Sequence, residues 1–288
     1  MDFGRILTAM VTPFDENLQI DWEQTGKLVD YLIEEQLSDG IVVSGTTGES
    51  PTLTDEEKID LISFVVKRAN GRCKVIAGTG SNHTDHVMWL SQEAEKLGAD
   101  GLLLVAPYYN RPTQAGIIGH FKAVAAVTKL PIILYNIPRR TGVNMDAKTT
   151  LELAHTVPNI VAIKESNDME QITTIIANAP EGFLVYSGDD STALPLMACG
   201  GHGVVSVASH LIGKPIRNMI EAYLSGNIKE AAKLQQKLMP IFTGLFICPN
   251  PVPVKHALNL KGHQVGGVRL PLVEANDAEK EQIRRLFE

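Results

Sequence analysis

Eight short apolar runs, rich in β-branched residues, recur along the 288 residues of this chain. They begin near Arg5 (RILTAM), Gly40 (GIVVSG), Lys74 (KVIAG), Gly101 (GLLLVAP), Pro131 (PIILYN), Ile160 (IVAIKE), Phe183 (FLVYSG) and Gly203 (GVVSVAS). Runs of this length bounded by turn residues read as strands buried on both faces, the habit of parallel sheets. Amphipathic segments lie between most of them. Ile20 to Gln36 carries Leu28, Val29, Leu32 and Ile33 at helical spacing. Thr54-Asp55-Glu56-Glu57 is a capping box, with Thr54 as N-cap and Glu57 at the third position. Strands alternating with helices imply βαβ units. Eight units in roughly 210 residues fit a (β/α)8 TIM barrel. The alternative is a doubly wound open sheet with a nucleotide at its switch point. Gly78-Thr79-Gly80 after a strand supports it, but His83 stands where the third glycine of that fingerprint belongs.

Beyond Ser209 the strand pattern does not return. Lys214–Leu224, Ile228–Leu245, Val252–Leu260 and Ala278–Phe287 read as helices. The expected organisation is a catalytic barrel over 1–225 followed by a small all-helical appendix over 226–288. The charge balance is 26 basic against 33 acidic residues, net −7, with no basic run, which argues against a nucleic-acid partner. Cys73, Cys199 and Cys248 are widely spaced and odd in number, a pattern that suits free thiols in a reducing compartment. The N-terminal residues lack a signal-peptide layout, and no apolar stretch approaches the ~20 residues of a membrane span. The expectation is a cytoplasmic protein with no membrane partner.

In such a barrel the reacting groups lie at the C-terminal ends of the strands. The second run ends in Gly45-Thr46-Thr47-Gly48-Glu49-Ser50, and the fourth in Tyr108-Tyr109-Asn110-Arg111. The fifth ends in Tyr135-Asn136 with Arg139-Arg140 beyond it, the sixth in Lys164-Glu165, and the seventh in Ser187-Gly188-Asp189-Asp190. Lys164 closes a buried strand, where desolvation disfavours the charged form of an amine and makes it a usable nucleophile toward a carbonyl. The plainer reading is a lysine that snorkels outward or pairs with an acid such as Glu165. Glycines flanking Thr46 and Thr47 let backbone N–H groups approach a small anion. A tyrosine can pass protons, and Arg140 offers a bidentate fork for a carboxylate. Together these groups describe a site for a small keto acid activated through an imine. Seen singly, the threonines could be a turn, the tyrosines core aromatics and the arginines solvated charges. Asp189-Asp190 reads as a turn and helix cap, and His202 as positional. His83 and His86 lack further ligands at the usual spacing, so neither a metal nor a cofactor is expected.

The set Gly45-Thr-Thr-Gly-Glu-Ser50, Tyr108-Tyr-Asn-Arg-Pro112, Tyr135-Asn-Ile-Pro138 with Arg140-Thr-Gly142, Ile163-Lys-Glu165 and Gly201-His-Gly-Val-Val-Ser206 resembles the dihydrodipicolinate synthase family. That family belongs to the pyruvate-dependent class I aldolases. The resemblance runs from about Ile6 to Leu260 and implies the following. Lys164 forms the Schiff base with pyruvate, and Tyr135 is the general acid/base beside it. Thr46 relays protons between Tyr135 and Tyr109, with Tyr109 reaching in from a neighbouring subunit of a homotetramer built as a dimer of dimers. Thr47 holds the pyruvate carboxylate and the Val205 carbonyl lies close to the bound keto acid. Gly188 joins them as a substrate-binding position. Arg140 binds the carboxylate of L-aspartate 4-semialdehyde, in a pathway to diaminopimelate and lysine.

The rival readings are a related pyruvate aldolase, such as an N-acetylneuraminate lyase or a 2-keto-3-deoxy sugar acid aldolase, and a non-catalytic ligand-binding protein on the same fold. Arg140 with Tyr109 favours the semialdehyde over a sugar. The intact lysine, tyrosines and threonine argue against loss of catalysis. The resemblance also implies a lysine effector site matched here by Ser50, Asn82 and Tyr108. Asp55 and Lys58 stand where sensitive members often carry histidines, and His86 where they carry a glutamate for the ligand's ammonium. Weak or absent inhibition by L-lysine is therefore expected.

Overall fold

The computed structural model describes residues 2–288 and closes eight parallel strands into one barrel in sequence order. They are β1 (Ile6–Ala9), β2 (Gly40–Val43), β3 (Lys74–Gly78), β4 (Gly101–Val105), β5 (Ile132–Asn136), β6 (Ile160–Glu165), β7 (Leu184–Ser187) and β8 (Gly203–Ser206). Around them run α1 (Trp22–Glu34), α2 (Asp55–Ala69), α3 (Thr84–Lys96), α4 (Gln114–Ala126), the single turn α5 (Pro138–Thr141), α6 (Ala147–Thr156), α7 (Met169–Asn178), α8 (Ala193–Ala198) and α9 (Ser209–Leu224). Then follow α10 (Ile228–Gly244), α11 (Val252–Leu260) and α12 (Asp277–Arg285). Because β1 pairs with β8, the doubly wound open sheet is ruled out. Among the described residues no helix is long and apolar enough to cross a membrane.

The strands begin within a residue of the apolar runs that announce them. Helix ends follow their caps. The segment expected over Ile20–Gln36 starts later because Ile20 bridges to Phe14, and Asp21 then caps α1 by accepting from the Gln24 N–H at 2.9 Å. The Thr54/Glu57 capping box forms: the Thr54 hydroxyl accepts from the Glu57 N–H, and the Glu57 carboxylate accepts from the Thr54 N–H. Helix α9 starts five residues before Lys214 and bends at Ile212, whose φ of −137° is non-helical; Pro215 just beyond supplies no N–H and its ring crowds the preceding turn.

Alternation along the strands separates two cores. Leu7, Ala9, Val42, Ile76, Leu103, Ile133, Ala162, Tyr186 and Val205 fill the barrel lumen. Ile41, Val43, Leu102, Leu104, Leu134, Ile163 and Val204 face the helices. Phe3 plugs the N-terminal end: a Cβ on Gly101, the first residue of β4, would stand 2.8 Å from its ring. One irregularity sets the phase of the whole site. Ile132 and Ile133 are paired with Ile160 and Ala162, so Val161 is an extra residue in β6. In unbroken register Tyr135 would lie beside Ile163 and Lys164 would face the helices. With the extra residue Tyr135 pairs with Lys164, and both point into the lumen.

Candidate active site

Lys164 therefore sits at the C-terminal end of the lumen, 6% exposed, with its Nζ 4.1 Å from the centroid of the Tyr135 ring. Among the described residues it has no ion pair and no hydrogen-bond partner. Glu165 is not its partner, because adjacent strand residues face opposite sides. The Glu165 carboxylate lies between barrel and helices, where it accepts from Asn136 Nδ2 at 2.9 Å, Gln171 Nε2 at 3.0 Å and the Asn167 N–H at 3.0 Å. Burial pushes its carboxyl up to about 7, against those hydrogen bonds.

Gly188 follows β7 directly and its N–H donates to the Glu165 carbonyl at 2.8 Å. A Cβ here would stand 1.9 Å from Ser166 Oγ and 3.1 Å from Lys164 Cε. Only glycine lets the lysine chain and Ser166 pass together at this level. Val205 lies in the lumen on β8, 1% exposed.

The turn after β2 brings Thr46 and Thr47 to the same end. It is tight and strained: Ser44 and Glu49 adopt left-handed φ values of 56° and 57°, a conformation costing on the order of 1–3 kcal/mol at a non-glycine residue. The Glu49 N–H donates to the Thr46 carbonyl at 3.1 Å, closing the loop. Three contacts from the C-terminal helices and the segment after them hold it in place. Lys255 Nζ lies 2.9 Å from Glu49 Oε1 and the Arg269 N–H donates to Glu49 Oε2 at 3.0 Å. Asn250 Nδ2 donates to Thr47 Oγ1 at 2.9 Å.

A cavity of about 490 Å³ opens beside the lumen, and Thr46, Tyr135 and Arg140 line it together with Tyr108 and Ile137. Arg140 arrives there on α5, directly after β5, while its neighbour Arg139 turns away to pair with Asp189. A second cavity of about 670 Å³ reaches Arg140 from the other side, past Ser166, Asp189 and Asn250. Lys164, Thr47, Val205 and Gly188 do not line the 490 Å³ cavity: Lys164 faces Tyr135 with Gly188 against its chain, Val205 packs in the same lumenal cluster as Tyr135, and Thr47 is buried against Asn250. Tyr109 is apart from all of these within its own chain. It is 88% exposed, held at φ 72°, with its N–H bonded to the Thr141 carbonyl at 3.2 Å. Asp190 does not cap its own helical turn as the sequence suggests: its buried carboxylate instead ties down the end of β8 and the approach to α9, accepting from Ser206 Oγ and from the N–H groups of Val207 and Ala208 at 3.1 and 3.0 Å.

The far arm of the 490 Å³ cavity carries Ser50, Lys58, Asn82 and His86. Here Asp55 binds both Lys58 Nζ, at 3.2 Å, and His86 Nε2, at 3.0 Å. Burial pushes the Asp55 carboxyl up, but those two partners outweigh it and hold the group below its ordinary value. Sequence reasoning missed Asn250, Ser166 and the Glu49–Lys255 pair; none carries a local signal.

An unpaired lumenal lysine, a facing tyrosine, a threonine turn and an arginine thus share one barrel end, and comparison with known proteins gives the family. The model of the Dihydrodipicolinate synthetase family matches residues 2–288. The 4-hydroxy-tetrahydrodipicolinate synthase of Desulforamulus reducens is 54% identical over 288 residues, covering 100% of this chain and 97% of that protein. That of Moorella thermoacetica is 57% identical over 284 residues, covering 98% and 97%. The crystal structure of a dihydrodipicolinate synthase from Bacillus anthracis superposes with a TM-score of 0.97 at 49% identity, covering 99% of this chain and 98% of that one. With the match unbroken from the first strand to the last helix, the chain belongs to the dihydrodipicolinate synthetase family.

Proposed function

We propose that this enzyme condenses pyruvate with L-aspartate 4-semialdehyde through an imine on Lys164. The observation that carries the reading is a buried lysine without a carboxylate partner, set against Tyr135 and joined to a cavity that ends in Arg140. No ionic partner competes for the amine, so it is free to attack the ketone carbon of pyruvate. The ketone oxygen leaves as water, and Tyr135 is the acid that protonates it. Thr47 and the backbone of its turn hold the pyruvate carboxylate, and the Val205 carbonyl and Gly188 close the floor around it. Loss of a methyl proton converts the imine to an enamine, whose carbon attacks the aldehyde held by Arg140 through its carboxylate. The amine of the acceptor then adds to the imine carbon and expels Lys164. Thr46 passes protons between Tyr135 and Tyr109. An 88% exposed tyrosine on a left-handed backbone suits a group that completes the site of a second copy, as in a tetramer made of two dimers. Free thiols at Cys73, Cys199 and Cys248 suit a reducing cytoplasm.

The test is a coupled assay with pyruvate and L-aspartate 4-semialdehyde, following the cyclic product through an NADPH-dependent reductase, with N-acetylmannosamine as the parallel acceptor. Turnover that needs the semialdehyde and vanishes in Lys164→Ala is the expected result. A borohydride-trapped pyruvate adduct without semialdehyde turnover would leave an aldolase with another acceptor and remove the role of Arg140.

The same reading extends to regulation. Asp55, the carboxylate nearest Lys58 and His86 in the far arm, is already occupied by both. A free lysine's ammonium would meet a neutralised cluster instead of an open carboxylate. L-lysine is therefore a weak inhibitor or none. An inhibition constant below about 1 mM would contradict this.

A further inference from the structure

We propose that Asn250 is a positioning residue for the keto-acid carboxylate, acting through the Thr47 hydroxyl. The proposal rests on the reading of Thr47 given above. Asn250 lies outside the barrel sequence, between α10 and α11, yet its side chain is buried at 6% exposure and reaches the turn after β2. Its Nδ2 donates to Thr47 Oγ1 at 2.9 Å, and Thr47 is itself only 3% exposed. A hydroxyl has one proton and two lone pairs. An amide nitrogen has only protons to offer. It therefore occupies a lone pair on Thr47 and leaves the threonine proton to point elsewhere. Thr47 thereby keeps its proton available to donate, the polarity a bound carboxylate needs. An acceptor in the place of Nδ2 would take that proton and present the substrate with lone pairs.

Two further observations favour a role in binding over one in stability. Asn250 Oδ1 is buried without a hydrogen-bond partner among the described residues, so the side chain is not arranged for its own satisfaction. Asn250 also lines the 670 Å³ cavity with Arg140 and Ser166, which places it between the threonine turn and the arginine fork. The same turn is braced independently by Glu49 through Lys255 and Arg269. Its backbone therefore does not depend on Asn250 alone.

The experiment measures pyruvate and semialdehyde KM values, kcat and melting temperature for Thr47→Val, Asn250→Ala, Asn250→Asp and the double variant Thr47→Val/Asn250→Ala. Asn250→Asp puts an acceptor and a negative charge beside the hydroxyl. Its pyruvate KM is expected to rise about tenfold or more, as loss of a charge-assisted hydrogen bond requires, with the semialdehyde KM little changed. Asn250→Ala should raise the pyruvate KM less. Added to Thr47→Val it should raise it no further, because the amide acts through the hydroxyl already removed. Equal rises in both KM values, or an Asn250→Ala effect undiminished on the Thr47→Val background, would overturn the proposal. Should Asn250→Asp not fold, the alanine pair still decides. A pyruvate KM unmoved by Thr47→Val would overturn the reading of Thr47 and the proposal with it.

Discussion

Among the described residues two lysines are almost fully buried, and comparing them separates the proposed nucleophile from a structural ion pair. Lys164 ends β6 in the barrel lumen; Lys255 lies on α11, and its Nζ stands 4.1 Å over the ring of Phe14, as that of Lys164 stands 4.1 Å over Tyr135. Depth and aromatic contact are alike. What differs is the partner. Lys255 meets Glu49 at 2.9 Å and donates to the Gly267 carbonyl. Burial lowers its pKa to about 8, with Glu49 opposing that fall. Lys164 meets no carboxylate and no carbonyl. A buried cation with a partner is a fixed strut, and removing either member leaves an uncompensated charge. A buried amine without one is free for covalent chemistry. The strut also braces the strained turn that carries Thr46 and Thr47, because Glu49 belongs to that turn.

The comparison breaks most sharply at Lys164 itself. Lys164→Ala should lower kcat by at least about a thousandfold and abolish borohydride trapping of pyruvate, because among the described residues no other buried lysine lies in the lumen. Its melting temperature should stay level or rise, since no ion pair is lost. Lys255→Met should do the reverse. It strands the Glu49 carboxylate and is expected to cost about 3–5 kcal/mol of stability, read by denaturant titration, while borohydride trapping at Lys164 persists in the folded fraction. Adding Glu49→Gln should recover part of that loss. If Lys255→Met were neutral and Lys164→Ala strongly destabilising, the assignment of strut and nucleophile would be inverted.

The sequence makes these two lysines legible to different degrees. The barrel reads clearly because parallel strands covered on both faces must be continuous apolar runs, and all eight are. The catalytic end reads almost as well, since strand ends are local features. Period-2 alternation alone separates Glu165 from Lys164. The lumenal direction of Lys164 is another matter. It depends on the extra residue Val161, and nothing in the type of Val161 marks a bulge. Here the family resemblance carries what periodicity does not. Lys255 and Asn250 are silent in sequence because their partners lie 206 and 203 residues away. Reading the last 63 residues as an appendix follows from the loss of strand pattern in them. It gives no hint that they hold the threonine turn.

Gly188→Ala sharpens the comparison on the Lys164 side. The added methyl would press on Ser166 Oγ at 1.9 Å and on Lys164 Cε at 3.1 Å. Displacement of the nucleophile by a fraction of an ångström is expected to lower kcat about 10- to 100-fold, with a smaller change in stability. Ser166→Ala on the same background removes the nearer clash and should restore part of the rate. Return of the pyruvate adduct with no recovery of rate would instead trace the defect to the loop after β7.

A buried base has a third option besides pairing and covalent chemistry, which is to stay neutral. His210 takes it. It is inaccessible to solvent, its Nε2 accepts from the Val11 N–H at 3.1 Å, and its Nδ1–H donates to the Val207 carbonyl at 2.8 Å. Both nitrogens are used in the neutral form, and a second proton would sever the bond to Val11, just beyond β1. Burial accordingly lowers its pKa to about 4, although the bond to Val207 opposes the shift. The sign follows from proton uptake. Between pH 6.5 and about 4 the unfolded chain binds a proton at this residue and the native one does not, so stability falls as pH falls through that window. Between pH 7 and pH 5 the loss from His210 should be about 2 kcal/mol. Denaturant titration of the wild type and of His210→Gln at the two pH values reads it as a difference. The variant is expected to be less stable at pH 7 but to lose less on acidification. An equal loss in both would mean that His210 is not the buried neutral base, and that the contrast between paired and unpaired amines stands without this third case.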